Sequence, residues 1–582
     1  MIGMRGGASE SVPRGRVLQR FVESPWAGAA LIGLLQGKVL WHIWRFRDLT
    51  SGDTSSYFES AYRWYERLQV NIVWSPVYTA FYGSILALTG DADVATTTHR
   101  VVIVVAAALG VLAVMRQLLP AGLALAIAAW WAVLPINFNT LYEVHLFALL
   151  PIVAFWLVAA TFDRPAGRGA ALALLTATAV LVRNELSLAV AIYAAMCVWR
   201  EGRELKRRVA PSWPARLRAY AVPAVVALAV VLTFYQRSYV RGPVVRAAAD
   251  AKHTVNMCQV YAFGYAQRHP EWTASPWTDC YGLAETTFGQ RTPTLRQMIS
   301  TNPRAVLAHA AWNLALTPSG LQLALFNGTW GGPNPDYAPV EHPGSVAASV
   351  AALLAAVVVG AGLVALRRDG WRFWWSQWFE RRRGLWLAMI AVSCVSVPII
   401  LTQRPRPSYL FALTATLMAV LGSAMHILTY RWPRTRDIAC LTLALATLLF
   451  VSPYFVRSET SRPLATAYHA LTPWAPMIGR PRGKVVIGDY ASELRSYARL
   501  TGVSTVEDYS ILARRPAGQS LAAFLDQQQI SVLFIQPRIA GDVQKIEGAD
   551  ALLANPAAFG WRLLTATSPE GETFRLLLRS AT

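Results

Sequence analysis

Four groups of ionisable residues stand at the edges of apolar runs, where a chain of this kind would otherwise exclude charge. Asp53, in Ser51-Gly52-Asp53-Thr54, follows the first run by a few residues, and Glu143 and His145 open another in Leu141-Tyr142-Glu143-Val144-His145. Arg183-Asn184-Glu185 interrupts a third, and Arg404 and Arg406 share Gln403-Arg404-Pro405-Arg406-Pro407-Ser408-Tyr409 before a late one. A carboxylate at a bilayer surface serves as a base toward a hydroxyl or as a metal ligand. Guanidinium groups bind phosphate oxygens two at a time. Ionisable groups within spans are costly and are by default functional, or else paired with each other. The blander readings are that Asp53 caps a helix or balances Arg45 and Arg47, that Arg183 and Glu185 form an internal salt bridge, and that Arg404 and Arg406 attract anionic headgroups.

The elements that must hold these groups are membrane helices. The 582 residues are 54% hydrophobic and 15% charged. Apolar runs of roughly 17–25 residues, the length that crosses a hydrocarbon core, recur between residues 26 and 454. Lipid leaves backbone polar groups no partner but their own helix, so the expected fold class is an α-helical polytopic membrane protein. The net charge of +21 would suggest nucleic acid in a soluble protein. Here the basic residues cluster in short loops between apolar runs, and no nucleic-acid motif accompanies them. The basic N-terminus, residues 1–25, leads into an apolar stretch with no small-residue cleavage site after it, which favours an uncleaved first span.

Orientation follows from two basic loops. Residues 200–218 hold seven Lys and Arg against two Glu, and 367–383 hold six Arg against one Asp and one Glu; both are expected in the cytoplasm. Single spans near 219–240 and 344–366 then place the loop 241–343 outside, with Gln403–Pro407, the loop 45–73 and everything beyond Pro453. Between residues 74 and 199 two versions stay open. If 169–199 is one helix, alternation puts Glu143 inside. If it breaks at Arg183 and 74–89 only dips into the membrane, Glu143 and Glu185 face outside, which the charge distribution favours. Either version gives about eleven spans of bilayer length.

Residues 55–69 carry Tyr57, Phe58, Ala61, Tyr62, Tyr65 and Leu68 at helical spacing opposite Glu59, Arg63, Glu66 and Arg67. That pattern predicts a helix lying in the headgroup layer, started by a Ser56–Glu59 capping box, with Asp53 just before it. Beyond a Pro-rich linker at 455–480 the composition changes. Strand-like runs at 485–489, 530–535 and 574–578, with helical patterns at 490–500 and 518–528, predict a small α/β domain over 481–582. Cys258 and Cys280 lie in the long polar loop and form a disulfide candidate if that loop faces an oxidising compartment. Cys197, Cys394 and Cys440 read as packing residues, and the loop histidines 253, 269, 309 and 342 show no helical ligand pair. Asn327-Gly328-Thr329 fits a glycosylation acceptor pattern.

Taken in order, these residues resemble the GT-C glycosyltransferases, membrane enzymes that take a sugar from a polyprenyl-phosphate donor, the dolichyl-phosphate-mannose–protein mannosyltransferases among them. The resemblance runs through Asp53 with Tyr57, Trp74-Ser75-Pro76, Arg183-Asn184-Glu185 where many members have Arg-Pro-Glu, Asn302-Pro303-Arg304 with His309, and Arg404 to Tyr409. It departs in having a single Asp53 where relatives often have an acidic pair, and Asn184 in place of Pro. It implies a GT-C-like membrane module over 26–454, a periplasmic domain over 481–582, and a hexosyl or pentosyl transferase of the bacterial inner membrane. Asp53 would be the catalytic base, and Tyr57, Glu143, His145, Arg183, Glu185, His309, Arg404, Arg406 and Tyr409 would bind substrate. A divalent cation, Mg or Mn, stays open, with Asp53 and Glu143 as its candidate ligands. The expected partners are a polyprenyl-phosphate-linked sugar, a glycan, lipid or protein acceptor, and membrane lipid, without nucleic acid. The rival readings are an O-antigen ligase or polymerase, which centres its Arg and His on the outer loop, and a lipid-linked sugar flippase, which carries polar residues along mid-membrane helix faces.

Overall fold

Proline and small polar residues set most helix starts. The computed structural model describes residues 23–46, 53–134, 143–206, 213–277, 279–329, 335, 345–453, 463–474, 484–488, 506–508, 511–512, 515–516, 518–567 and 571–580. Two compact units result, one from Met1–Trp41 with Val101–Tyr454 and the other from His42–Arg100 with Phe455–Thr582.

The first unit is helical. It contains α1 (Pro25–Val39), most of α4 (Ala92–Leu118), α5 (Ala121–Val133), α6 (Glu143–Ala159), α7 (Pro165–Leu181), α8 (Ser187–Lys206) and α9 (Trp213–Gln236). It continues through α10 (Pro243–Arg268), α11 (Cys280–Phe288), α12 (Leu295–Thr301), α13 (Pro303–Phe326) and α14 (Ser345–Arg368) to α15 (Arg383–Ser393), α16 (Ser396–Thr402), α17 (Pro407–Leu428) and α18 (Pro433–Phe450). Ser24 caps α1, accepting from the Ala27 amide at 3.3 Å ahead of Pro25. Asn302 caps α13 the same way through Ala305 at 3.1 Å, and Thr294 with Gln297 forms a capping box on α12. Among the described residues, five helical stretches are long and apolar enough to cross a membrane: 92–118, 213–236, 346–368, 380–402 and 407–428. The helices at 121–133, 143–159 and 165–181 are apolar but shorter. The chain is thus a helical membrane protein with a small sheet.

The long apolar run 169–199 is not one helix. Arg183 takes an extended conformation (φ −146°, ψ 106°) and a 3-10 turn at Asn184–Leu186 separates α7 from α8. At the other end of these two helices, Arg168 is fully buried and donates to Glu201 at 2.5 Å and Glu204 at 2.9 Å. Arg216 on α9 reaches Glu201 at 2.9 Å, and Tyr220 adds its hydroxyl at 2.8 Å. A buried guanidinium is tolerable only when its donors are satisfied in this way. Gly169 lets α7 and α9 touch there, since a Cβ at that position would overlap the Ala219 carbonyl oxygen.

In the second unit, α2 (Asp53–Arg67) packs on α3 (Pro76–Thr89). Two details differ from expectation. The helix already includes Asp53, so Ser56 lies inside it rather than at its cap, and Glu59 pairs with Arg63 at 3.1 Å instead of closing a capping box. The apolar face is also not given over to lipid: Tyr57, Phe58, Ala61 and Tyr62 are buried, with Phe58 edge-on to Tyr82 at 5.6 Å. An amphipathic pattern is the same whether its partner is a headgroup layer or a neighbouring helix; α3 supplies the partner here. Tyr65 and Leu68 remain exposed.

The same unit holds a five-stranded sheet in the order β2-β1-β3-β5-β4, from β1 (Lys484–Gly488), β2 (Val506–Asp508), β3 (Ile530–Ile535), β4 (Trp561–Thr567) and β5 (Thr573–Arg579). β1 pairs in parallel with β2 and β3, and β5 pairs antiparallel with β3 and β4. The strands expected at 485–489, 530–535 and 574–578 are β1, β3 and β5. β2 and β4 were not foreseen, because β2 spans three residues and the apolar residues of β4 do not alternate. The helix expected at 518–528 is present as α20 (Leu521–Gln527), started by Ser520, whereas 490–500 falls outside the described residues. Inside the stretch expected to be a linker, α19 (Pro463–Leu471) forms and is held by Tyr468 to Asp91 and His469 to Asp93, each at 3.3 Å.

Cys258 on α10 and Cys280 on α11, 22 positions apart in sequence, form the disulfide, with Cα atoms 5.5 Å apart. It is buried with Tyr261, Phe288 and Met298. Replacing both cysteines by serine is expected to lower unfolding free energy by about 3 kcal/mol. Intact-mass measurement after alkylation, with and without reductant, checks the bond: reduction should expose two further reactive thiols.

Candidate functional site

The break between α7 and α8 and the start of α17 meet in one pocket of the first unit. His145, Arg183, Glu185, Ser396, Ser408 and Tyr409 line its polar end, and Leu149, Ile152, Val392, Ile399 and Phe411 its apolar remainder. Arg183 can point here only because the backbone at Val182–Leu186 leaves the helical path; its guanidinium then pairs with Glu185 and lies 3.5 Å from His145 Nε2. Tyr409 stands between two guanidinium groups, Arg183 at 5.8 Å and Arg406 at 5.9 Å from its ring centre, with the His145 ring edge-on at 4.9 Å. Burial works against the Glu185 charge, but the adjacent Arg183 guanidinium, with Lys252 farther off, holds its carboxyl below the usual range. Glu185 therefore offsets Arg183, and Arg406 adds positive charge beyond that pair.

Pro407 begins α17, so the first turn of that helix, which lines the pocket, brings the positive end of the helix dipole, while the Arg406 and Tyr409 N–H groups donate to the Arg404 and Arg406 carbonyls at 2.7 and 3.0 Å. The Ser408 hydroxyl is buried and has no hydrogen-bond partner among the described residues. Helix start, arginine and hydroxyl together form a receptor for an anion. Ser408 was passed over in the sequence, although a serine directly after a proline at the start of a late apolar run is a readable signal. His253 was named only as a loop histidine, and it approaches Asn184 at 3.3 Å.

The other expected residues lie elsewhere. Arg404 is buried, donates from Nε to the Pro335 carbonyl at 2.9 Å and stands over the Phe263 ring at 5.5 Å. It ties the 403–406 loop to the segment 241–343, whereas Arg406 leans toward the pocket. His309 Nε2 lies 3.4 Å from the Thr402 carbonyl and 3.1 Å from Asn313 Nδ2, with Tyr261 against its ring. Burial pushes its pKa down to about 4, so the ring is neutral at pH 7. Glu143 is buried at the start of α6, and as residues two apart on a helix do not share a face, it does not line the pocket with His145. Tyr57 belongs to the second unit, edge-on to Trp74 and Tyr78 at 5.4 and 5.2 Å. Asp53 is the first residue of α2 in that unit. In the same unit His99, which no sequence motif marks, stacks on Tyr82 at 3.8 Å and meets the Tyr78 hydroxyl at 3.2 Å.

Among the described residues, no group of three or more His, Cys, Asp or Glu side chains converges as a metal ion would require. The side chain of Asp53, one of the two candidate ligands, lies outside the described residues.

No protein-family model and no curated protein matches the chain. Among solved structures it is similar to the oligosaccharyltransferase of Archaeoglobus fulgidus in the apo form, at 12% identity and a TM-score of 0.39 over 94% of this chain and 74% of that one. The same protein in complex with zinc and sulfate gives 12% and 0.39, over 95% and 73%. ArnT from Cupriavidus metallidurans bound to undecaprenyl phosphate gives 14% and 0.38, over 97% and 98%. At such scores the likeness carries no argument about this chain.

The 403–406 loop is set by a close approach: a Cβ at Gly320 on α13 would overlap the Pro405 carbonyl oxygen. Gly320→Val is expected to displace the loop and lower the melting temperature by several degrees, while Gly33→Val, with open space around it, changes it by about a degree or less. Thermal unfolding of the two variants in detergent measures both.

Proposed function

We propose that the chain is a GT-C-type glycosyltransferase that moves a hexosyl or pentosyl group from a polyprenyl-phosphate donor to an acceptor at the outer face of a bacterial inner membrane. One observation carries this reading: the pocket joins polar side chains, Arg183, Ser408 and Tyr409 with the Arg406 guanidinium 5.9 Å from the Tyr409 ring centre, to apolar side chains of α6, α15 and α17. That division suits an amphiphile with a phosphate head and a hydrocarbon tail, and it needs no nucleotide-binding loop. The order of motifs from Asp53 to Tyr409 supports the same assignment.

In the proposed reaction Asp53 removes the proton of the acceptor hydroxyl. The freed oxygen attacks the anomeric carbon from the face opposite the phosphate, the carbon–oxygen bond to phosphate breaks, and configuration inverts. The bonding pair leaves with the polyprenyl phosphate and the proton stays on Asp53. Negative charge grows on the leaving oxygen, and prearranged donors are worth most where charge develops; Arg406, the Ser408 hydroxyl and the positive end of the α17 dipole take that role. Arg404 is assigned to hold the loop rather than the phosphate.

Transfer assays with a panel of polyprenyl-phosphate sugars test the reading. Asp53→Asn is expected to lower kcat by about 10²–10⁴-fold without loss of expression, and near-normal turnover would remove the base. Arg406→Ala should weaken undecaprenyl phosphate binding, whereas Arg404→Ala should chiefly lower thermal stability. Movement of labelled lipid across a bilayer without any covalent product would favour the transporter reading.

A further inference from the structure

At the opposite end of the span that leads to Arg406 lies a segment with a different chemistry. Residues 369–379 join two candidate spans, Val346–Arg368 and Glu380–Thr402. Whatever joins two inserted helices over so short a distance is held at the lipid–water boundary. Gly370 turns the chain with φ 96°, a helical turn follows at Trp371–Trp374, then a π turn at Trp375–Phe379 and a 3-10 turn at Glu380–Arg382. π turns recur at functional sites.

The segment has two faces. On the inward face Trp374 is buried against His426 and Tyr430, at 5.9 and 5.1 Å, and Trp378 lies on His426 at 4.6 Å with the Arg382 guanidinium 4.3 Å from its ring centre. Arg382 also donates to the Gln117 carbonyl at 2.7 Å, and Arg383 pairs with Asp163. These contacts fix the backbone. On the other face Trp371 and Trp375, one helical turn apart with ring centres 5.2 Å from each other, are 56% and 42% exposed, and Arg368, Arg372 and Arg381 of the same stretch are exposed as well. Over 367–383 six arginines face two acidic residues, and the buried indole N–H groups of Trp374 and Trp378 have no acceptor among the described residues.

We propose that this face is a binding site for an anionic phospholipid. The exposed rings enter the boundary between headgroup and acyl chain, where amphipathic aromatics are most stable. Arg372 and Arg381, with Arg368, donate to the headgroup phosphate. A zwitterionic choline headgroup brings its own cation toward these arginines and is disfavoured, whereas a headgroup with net negative charge is not. A water-soluble anion would use the arginines but leave the two indole rings exposed, so the lipid is the occupant that accounts for both. The site is independent of the transferase reading, and only the leaflet to which it belongs depends on the orientation given there.

The test is native mass spectrometry of the full chain in detergent, titrated with phosphatidylglycerol and with phosphatidylcholine of the same acyl chains. Wild type is expected to retain phosphatidylglycerol about tenfold more tightly, and Arg372→Gln with Arg381→Gln to lose that preference. Trp371→Ala with Trp375→Ala should weaken both lipids. Arg203→Gln with Arg218→Gln, in the other basic loop, should change neither. Unaltered elution and melting without lipid establish that each variant is folded. Absence of a preference in wild type, its persistence in the arginine variant, or an equal loss in the control pair overturns the proposal.

Discussion

An arginine and a glutamate set within a long apolar stretch impose the constraint on which the pocket depends. Inside an unbroken helix Arg183 and Glu185, two residues apart, would point to different sides and could not neutralise one another. The extended residue at Arg183 and the 3-10 turn after it bring the two side chains together and aim the guanidinium at His145 and Tyr409. The pair thereby costs less to bury, and the helix ends it creates open a polar cleft among apolar helices. Ser408 and Tyr409 at the start of α17 line that cleft, with Arg406 beside the Tyr409 ring.

Such a break would weaken the helix pair if nothing held its other end. The Arg168 network does so, joining α7, α8 and α9 through Glu201, Glu204, Arg216 and Tyr220. Charged groups fully satisfied by one another resist rearrangement, since removing one partner strands a buried charge. The same two helices are therefore fastened by ions at one end and shaped by ions at the other.

The stretch from α15 to α17 follows a related logic. Its first residues are anchored by Trp374, Trp378, Arg382 and Arg383, and its far loop by Arg404 on Pro335 and by the close fit of Gly320 against Pro405. The disulfide keeps α10 and α11 together beside His309 and Tyr261, the surroundings of that loop. Arg406 is thus presented by a loop whose neighbours leave it little freedom.

Much of this was legible in the residues alone. Apolar run length gave the helices and the alternation of strand and helix patterns after residue 481 the small sheet, whereas the one cap expected, at Ser56, lies inside α2. Misplaced ions pointed to Arg183, Glu185, Arg406 and Tyr409, because burying charge is costly wherever it occurs. What the residues could not say is which partner each side chain takes. The spacing of α2 is the same for lipid as for α3, Arg404 and Arg406 are equivalent letters in one loop, and no local pattern pairs Arg168 with Glu201 and Glu204, 33 and 36 residues away. Local pattern determines which groups must be satisfied; only the packing of distant helices decides by whom.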